Sequence, residues 1–356
     1  MLTFHQIQNE IYAQKAAARQ KRLTDGMGIL RGGNTGLYQP GEKPALSCPR
    51  KTILRTWFGV EPPTSTAEDL IFANGLSSEA QMVSEWTDLF KSKGLTLISQ
   101  DNRTEWLTSK GTPVQGSPDI VVLRGDTKKS NAKEYVFMCE LKNMNSVYKA
   151  LGVLADSVGC DAIAQGAHYS YNLGKTPGML IYSNYTQHHN LNACFGAAAS
   201  YVPRQAKFAH LIDWGEKLNK KTGEMERNPK SLLGFRIAWA FRWVDDSETG
   251  PRVECRFDGL IPDGGFEANK PGKEWFGTIV TWKRIQAFFE LCDDPHGKTW
   301  PGTPAHPSID GAKEGWKFCD YCKWKSVCKE VETRASPSVA LLHAEIMKKR
   351  RAGEIV

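Results

Sequence analysis

The sequence predicts a mixed α/β fold in which helices flank one sheet. Three observations predict it: a long helix with an apolar stripe, two apolar strands joined by a polar loop, and a second long helix followed by a buried strand. This α-β-β-α-β order is typical of a mixed sheet covered by helices. The chain has 356 residues, of which 40% are hydrophobic, so it is long enough to enclose a large core.

The first part of the chain predicts three helices. Residues 4–24 form a polar helix, and a Gly/Pro-rich loop follows at 31–44. Cys48 opens a short basic helix, because Pro49 is favoured in a first helical turn, where its missing N–H costs nothing. The third helix spans about 67–93. Its apolar stripe consists of Met82, Val83, Trp86 and Phe90.

The central part predicts the sheet. Pro118–Arg124 and Tyr135–Lys142 are two apolar strands, and the polar stretch 125–134 between them is a hairpin loop. A helix over about 147–172 follows, and after it a buried strand at Gly178–Tyr182.

The remaining part is less regular. Arg236–Val244 and Val253–Ile261 are predicted to be two further strands, and the lysine-rich stretch Trp214–Lys230 a loop. A helix is expected at about 281–293, before a Pro/Gly/His-rich segment.

These elements suggest four segments. They are an N-terminal helical and basic region at 1–66, a core at 67–185, an insertion with additional strands and a helix at 186–295, and a cysteine-rich region with a basic tail at 296–356.

Charge and cysteine content narrow the class of protein. The net charge of +7 is compatible with a polyanionic partner without requiring one. Nine cysteines, an odd number at uneven spacing, argue against a disulfide scaffold. The sequence contains no apolar stretch of about 18 residues and no signal-peptide pattern, so we expect neither a membrane span nor secretion.

Two carboxylates and a lysine lie on the predicted hairpin. Asp119 follows Pro118 at the start of one strand, and Glu140 lies near the end of the next. Strand side chains alternate between faces, so Glu140 and Lys142 point the same way while Cys139 points into the core. Carboxylates that meet at one sheet edge suit a divalent cation, to which the carbonyl of Leu141 is a further candidate ligand.

Two neighbouring helices offer further polar groups. Gln165 and Tyr169 are four residues apart, so they share a helix face. Glu79, in the stretch Gly75-x3-Glu79, is a candidate third carboxylate. Each of these pieces alone has an ordinary structural explanation, such as a strand-start turn or a solvated face. Their order along the chain favours a catalytic site, as does the apolar setting of Glu140, where an unpaired charge is costly.

This order of motifs resembles the PD-(D/E)xK nuclease superfamily, and Gln165-x3-Tyr169 resembles the additional motif of its RecB-like branch. The resemblance covers roughly residues 70–185 and implies a restriction-endonuclease-like mixed sheet. It also implies that Asp119 and Glu140 bind Mg²⁺ or Mn²⁺, that Lys142 assists the attacking water, and that Gln165 and Tyr169 line the site. One departure is that Glu79 stands where many cluster-bearing relatives have histidine.

The cysteines near the C-terminus form a second pattern, Cys319-x2-Cys322-x5-Cys328. A structural zinc site usually has two close pairs of ligands, and a second pair is missing here. Iron–sulfur clusters accept more varied spacing, and Cys48 is the best fourth thiolate because it lies at a helix N-terminus beside basic residues. Zinc and free thiols remain alternatives.

The cysteine pattern resembles the iron–sulfur staple of RecB-like nucleases such as AddB and the CRISPR-associated exonuclease of spacer acquisition. In those proteins one cysteine precedes the nuclease core and three follow it. The resemblance implies a 4Fe–4S cluster on Cys48, Cys319, Cys322 and Cys328 that joins the two ends of the chain.

The sequence therefore predicts a metal-dependent exonuclease acting on single-stranded DNA or DNA ends in recombination or repair. Its expected setting is the cytoplasm of a bacterial or phage-infected cell, since stand-alone chains of this kind resemble phage or mobile-element nucleases. Because the chain has no Gly-x4-Gly-Lys-Ser/Thr motif, we expect it to act alone or with a separate helicase or recombination protein. The alternatives are an endonuclease on the same core and a cluster-bearing DNA-binding module with little catalysis.

Overall fold

The protein is described by a computed structural model, and its described residues fall into two compact units. The first unit draws on Met1–Thr66, Glu105–Gly116 and the chain from Arg284, and the second on Ala67–Thr104 and Ser117–Lys283. The structure describes residues 4–42, 44, 46–59, 61–62, 66–99, 103–124, 134–143, 161–184, 189–190, 216–227, 231–232, 235–262, 275–293 and 348.

Five α-helices lie within the part of the chain that the structure describes. They are α1 (Phe4–Asp25), α2 (Pro49–Phe58), α3 (Thr66–Ser92), α4 (Asp161–Asn172) and α5 (Trp282–Cys292). These bounds confirm the helices predicted at 4–24, after Cys48, at 67–93 and at 281–293. Helix α4 confirms the end of the helix predicted at 147–172, whose earlier part lies outside the described residues.

The second unit is built on a seven-stranded mixed sheet, in which only one of the described strand pairs is parallel. Its strands are β2 (Leu95–Ser99), β5 (Ile120–Arg124), β6 (Glu134–Asn143), β7 (Gly178–Asn184), β12 (Phe235–Val244), β13 (Arg252–Pro262) and β14 (Phe276–Thr281). The spatial order is β14-β13-β12-β7-β6-β5-β2. Strands β6 and β7 are parallel, and the other neighbours are antiparallel.

Smaller sheets complete the described strands. Strands β1 (Leu30–Arg31), β4 (Pro113–Gly116) and β3 (Thr104–Leu107) form one sheet in that order. Strand β8 (His189–Asn190) pairs with β11 (Ser231–Leu232), and β9 (Glu216–Leu218) pairs with β10 (Met225–Arg227).

The last of these pairs corrects one prediction. The lysines of Trp214–Lys230 predict a loop, but β9 and β10 form an antiparallel hairpin within this stretch. The turn is closed by a 2.8 Å hydrogen bond from the Asn219 N–H to the Glu224 carbonyl, and Gly223 takes a positive φ of 73°. Charged side chains are compatible with a short exposed hairpin, so composition alone is misleading here.

Helices cover both faces of the central sheet. Helix α3 packs on one face, where Met82 meets a cluster of buried sheet residues. That cluster consists of Ile120, Val122, Cys139 and Ile181. Helix α4 crosses the opposite face, where Gly166 lies against the Phe241 ring and the Cβ of Glu140. The predicted inward orientation of Cys139 is therefore confirmed, and Glu140 faces α4. Among the helices that the structure describes, none is long and apolar enough to cross a membrane.

The first unit brings distant parts of the sequence together. Cys48 is the N-cap of α2, Pro49 is its first residue, and Gly59 ends it in a left-handed conformation with φ of 59°. The fully buried indole of Trp57 donates a 3.0 Å hydrogen bond to the carbonyl of Cys292, at the end of α5. An N-terminal helix is thus anchored to a segment that follows the whole central sheet.

Candidate active site

Asp119 is held in place by the strand that carries Glu140. Strands β5 and β6 pair antiparallel with Ile120 opposite Cys139, and Asp119 lies immediately before the first residue of β5. Its Oδ2 accepts a 2.6 Å hydrogen bond from the backbone N–H of Leu141. A carboxylate bound to a backbone N–H has little freedom, so the Asp119 side chain is fixed beside Glu140 and Lys142.

Glu140 is fully buried. Its Oε1 lies 2.5 Å from the Nζ of Lys142. Its Oε2 has no hydrogen-bond partner among the residues that the structure describes. Burial raises the pKa of Glu140 to about 8, although the neighbouring charge of Lys142 works in the opposite direction. A buried carboxylate that is satisfied on one oxygen only is unusual in a folded protein.

Burial also raises the pKa of Asp119, to about 6. The charge of Lys142 and the hydrogen bond from Leu141 lower it in part, whereas the charge of Glu79 raises it. Burial is the main cause of both upward shifts, so Asp119 and Glu140 lie in a poorly solvated region that disfavours their charged forms.

Lys142 connects this buried region with the solvent. Its side chain is 32% exposed, in contrast to the 1% exposure of the Glu140 side chain. Burial lowers its pKa, but the charges of Glu140, Asp119 and Asp161 outweigh that effect, so the net shift is upward. The lysine therefore stays protonated and can donate hydrogen bonds to a group that enters from outside.

Helix α4 places the Gln165–Tyr169 pair above Glu140. The Nε2 of Gln165 donates a 3.2 Å hydrogen bond to the hydroxyl of Tyr169. Tyr169 is buried, and burial together with the charge of Glu140 raises the pKa of its hydroxyl. Gln165 is half-buried, so its amide lies between the buried phenol and the solvent.

Glu79 approaches the site from α3. Its neighbour Ser78 shares a 2.9 Å hydrogen bond with Ser183 of β7, which fixes this turn of the helix over the sheet. The half-buried Glu79 side chain raises the pKa of both Asp119 and Glu140 through its charge. Glu79 therefore belongs to the same electrostatic region.

The arrangement fits a cation in some respects only. Within the described parts of the chain, no three His, Cys, Asp or Glu side chains are grouped closely enough to hold a metal ion. Two carboxylates and a backbone carbonyl, such as that of Leu141, would be a smaller ligand set, which Mg²⁺ accepts because it keeps several waters. The unsatisfied Oε2 of Glu140 is the atom that such a cation would neutralise.

The predicted cluster ligands can be placed only in part. Cys48 is half-buried at the N-terminus of α2, whereas Cys319, Cys322 and Cys328 lie outside the described residues. Cys292 is fully buried, and its thiol lies 3.9 Å from the Pro49 carbonyl. Burial and the nearby Cys48 raise the pKa of the Cys292 thiol.

Sequence reasoning missed Asp161, the first residue of α4. Its charge reaches Lys142, whose pKa it helps to raise. A signal was present, because Asp161 lies four residues before Gln165 and therefore on the same helix face.

Comparison with known proteins identifies no relative. No protein-family model, no curated protein and no solved structure matches this chain.

Proposed function

We propose that this protein is a Mg²⁺- or Mn²⁺-dependent DNA exonuclease with a restriction-endonuclease-like core. The observation that carries the proposal is the fully buried Glu140, which has one oxygen on Lys142 and the other without a partner in the described structure. A charge in such a place is costly unless a counter-charge or a ligand compensates it. Catalytic sites are where this cost is commonly found.

Asp119 and Glu140 would hold the cation, with the Leu141 carbonyl and Glu79 as further candidate ligands. When bound, a divalent cation neutralises phosphate charge, lowers the pKa of a water and stabilises the leaving oxygen. The hydrogen bond from the Leu141 N–H holds Asp119 in place for this task. Because the pKa values of Asp119 and Glu140 are raised, the protein can keep these carboxyls close together until a cation arrives.

Lys142 and the Gln165–Tyr169 pair would act on the substrate. The partly exposed ammonium of Lys142 can orient the attacking water or contact a phosphate oxygen. Gln165 is held by its hydrogen bond to the buried Tyr169, so its amide is positioned before a substrate arrives. Positioning of this kind lowers the entropic cost of the reaction.

DNA as substrate is supported by the net charge of +7 and by the resemblance of the motif order to RecB-like nucleases. The 4Fe–4S cluster on Cys48, Cys319, Cys322 and Cys328 belongs to the same proposal. The hydrogen bond from Trp57 to Cys292 supports it, because segments from before and after the sheet already pack together. Single strands or DNA ends are the expected substrate, and the protein would act alone or with a separate helicase or recombination protein.

Anaerobically purified protein should be incubated with end-labelled linear single- and double-stranded DNA and with a circular single strand, in Mg²⁺ or Mn²⁺. We expect loss of linear DNA only, and no cleavage by Lys142→Ala, Asp119→Asn or Glu140→Gln. Lys175→Ala is the matched control, because Lys175 is a partly exposed lysine of the same unit that pairs with Asp245.

Each other outcome has a definite meaning. Cleavage of circles would make the protein an endonuclease with the same site. Wild-type rates in Lys142→Ala would overturn the assignment of the site. DNA binding without cleavage in either metal would favour the binding module.

A further inference from the structure

We propose that Asp161 is a positioning residue that holds Lys142 when a cation occupies Glu140. In the structure the Lys142 ammonium lies 2.5 Å from the Glu140 Oε1. A divalent cation on Glu140 would repel this ammonium, so Lys142 needs another negative partner within reach. This inference rests on the proposed function, because it takes Glu140 to be a cation ligand.

The topology places Asp161 at the end of the site where Lys142 lies. Strands β6 and β7 are parallel, and α4 lies between them in the chain, so α4 runs back against the direction of β6. Gly166 lies over Glu140, since a Cβ on it would be 3.6 Å from the Glu140 Cβ. Asp161 is five residues before Gly166, toward the end of β6 that carries Lys142.

The distances along the two elements agree. Five residues of helix correspond to a rise of about 7.5 Å. The two residues from Glu140 to Lys142 correspond to about 6.6 Å of strand. Asp161 and Lys142 are therefore displaced from the Gly166–Glu140 contact in the same direction and by a similar length.

Asp161 also lies on the face of α4 that is directed toward the site. Asp161, Gln165 and Tyr169 follow one another at intervals of four residues, so they form one row along α4. The row includes the Gln165–Tyr169 hydrogen bond and faces the buried carboxylates. Consistent with this position, the charge of Asp161 contributes to the raised pKa of Lys142.

Glu140 and Asp161 differ in exposure, so they have different roles as partners of Lys142. Glu140 is fully buried, whereas Asp161 is exposed at the start of α4. The Lys142 side chain is long and 32% exposed, so a rotamer change can move its ammonium outward without unfolding the strand. Asp161 would thus keep Lys142 at the mouth of the site, where an attacking water arrives, instead of releasing it to the solvent.

Mn²⁺ affinity of the full-length protein, measured by electron paramagnetic resonance without DNA, tests this role. Without Asp161, Lys142 loses the one described negative neighbour that is not itself a proposed cation ligand, so it competes more strongly for Glu140. We expect Asp161→Asn to weaken Mn²⁺ binding by about threefold to tenfold, the scale of a partly exposed charge pair. Asparagine keeps the side-chain oxygen that accepts the 2.9 Å hydrogen bond from the Ala162 N–H, so α4 should remain folded, which circular dichroism can verify.

A double-mutant cycle separates positioning from general electrostatics. In a Lys142→Ala background, Asp161→Asn should have no further effect on Mn²⁺ affinity, because the competing ammonium is gone. Asp245→Asn is the matched control: it removes one exposed carboxylate of the same unit and should leave affinity unchanged. Asp161→Glu should retain most of the wild-type affinity.

Unchanged affinity in Asp161→Asn would overturn the inference. So would an equal loss with and without Lys142, because Asp161 would then act on the cation directly. If the wild-type protein bound no Mn²⁺ at all, the proposed function itself would be overturned. The wild-type measurement therefore separates that failure from a failure of the role proposed for Asp161.

Discussion

At the scale of single residues, Glu140 is the side chain whose position the fold explains least. It lies in an apolar strand between Cys139 and Leu141, and its side chain is buried beneath α4. An apolar residue would pack there without an electrostatic cost. The unsatisfied Oε2 and the raised pKa are therefore costs of burying a carboxyl in this strand, which the proposed cation would offset.

The pKa of Glu140 predicts a pH dependence of the metal-free protein. The ordinary pKa is 4.5 and the folded value about 8, so between these values the folded state binds more protons than the unfolded state. The stability contributed by this group is then fully present below pH 4.5 and is lost as the pH rises through 8. The free energy of unfolding should be measured by denaturant titration in EDTA at several pH values. Glu140→Gln should lack the decrease in this free energy that the wild-type protein shows as the pH rises.

The control for that experiment is Glu134→Gln, on the same strand. Glu134 is 62% exposed and pairs with Arg124, so its variant should follow the wild-type pH profile. Parallel profiles for Glu140→Gln and the wild-type protein would contradict a buried, protonated Glu140.

At the scale of elements, the close approach of α4 to the sheet and of β12 to β7 depends on small residues. Gly178 opens β7, and a Cβ there would overlap the ring of the buried Phe241. Gly166 brings α4 near the same ring, which would lie 3.1 Å from a Cβ added to that glycine. These contacts set how deeply Glu140 is covered, so packing at the helix–sheet contact and electrostatics at the site are coupled.

Two glycine substitutions should therefore act in opposite directions. Gly178→Ala forces Phe241 to move, and we expect a loss of about 1–3 kcal/mol in the free energy of unfolding. Gly75 lies inside α3, where the nearest atom to an added Cβ is 3.9 Å away, on Asn143. Gly75→Ala should stabilise the protein by about 0.5–1 kcal/mol, because alanine favours the helix. Denaturant unfolding measures both, and equal stability of the two variants would contradict this packing.

At the scale of the whole molecule, the first unit combines segments that lie on both sides of the central sheet in the sequence. The 235-residue separation between Trp57 and Cys292 shows how far apart these segments are in the chain. Closing so long a loop is entropically costly, and a covalent or metal link between the ends would offset part of that cost. The proposed cluster would have this role.

Replacement of one proposed cluster ligand tests that role. Cys322→Ser should lose iron, visible absorbance and thermal stability together, because the remaining thiolates cannot complete the four-thiolate site. Metal analysis of anaerobically purified protein measures the effect. The control is Cys139→Ala, which alters a buried cysteine of the sheet core and should retain iron. Zinc in place of iron would favour the alternative metal, and unchanged iron content would exclude Cys322 as a ligand.

Much of the fold could be predicted from the sequence, since period-2 and helix-period patterns are local. Helices α1, α2, α3 and α5 and the strands around Asp119 and Glu140 agree with their predicted bounds within a few residues. The strand Leu95–Ser99 was missed. It is short and follows α3 directly, and its pairing with β5 is decided by contacts distant in sequence. The hairpin within Trp214–Lys230 pairs locally, and it was missed because its lysine-rich composition is also typical of an exposed loop.

The sequence by itself determined which chemistry-bearing residues the chain offers, and the alternation of strand side chains already placed Glu140 and Lys142 on one face. Only the three-dimensional packing establishes the complete burial of Glu140, the hydrogen bond from the Leu141 N–H to Asp119 and the effect of the Asp161 charge on Lys142. Burial and charge proximity depend on how α4 crosses the sheet. That crossing is fixed by packing between residues far apart in the chain, which local patterns do not encode.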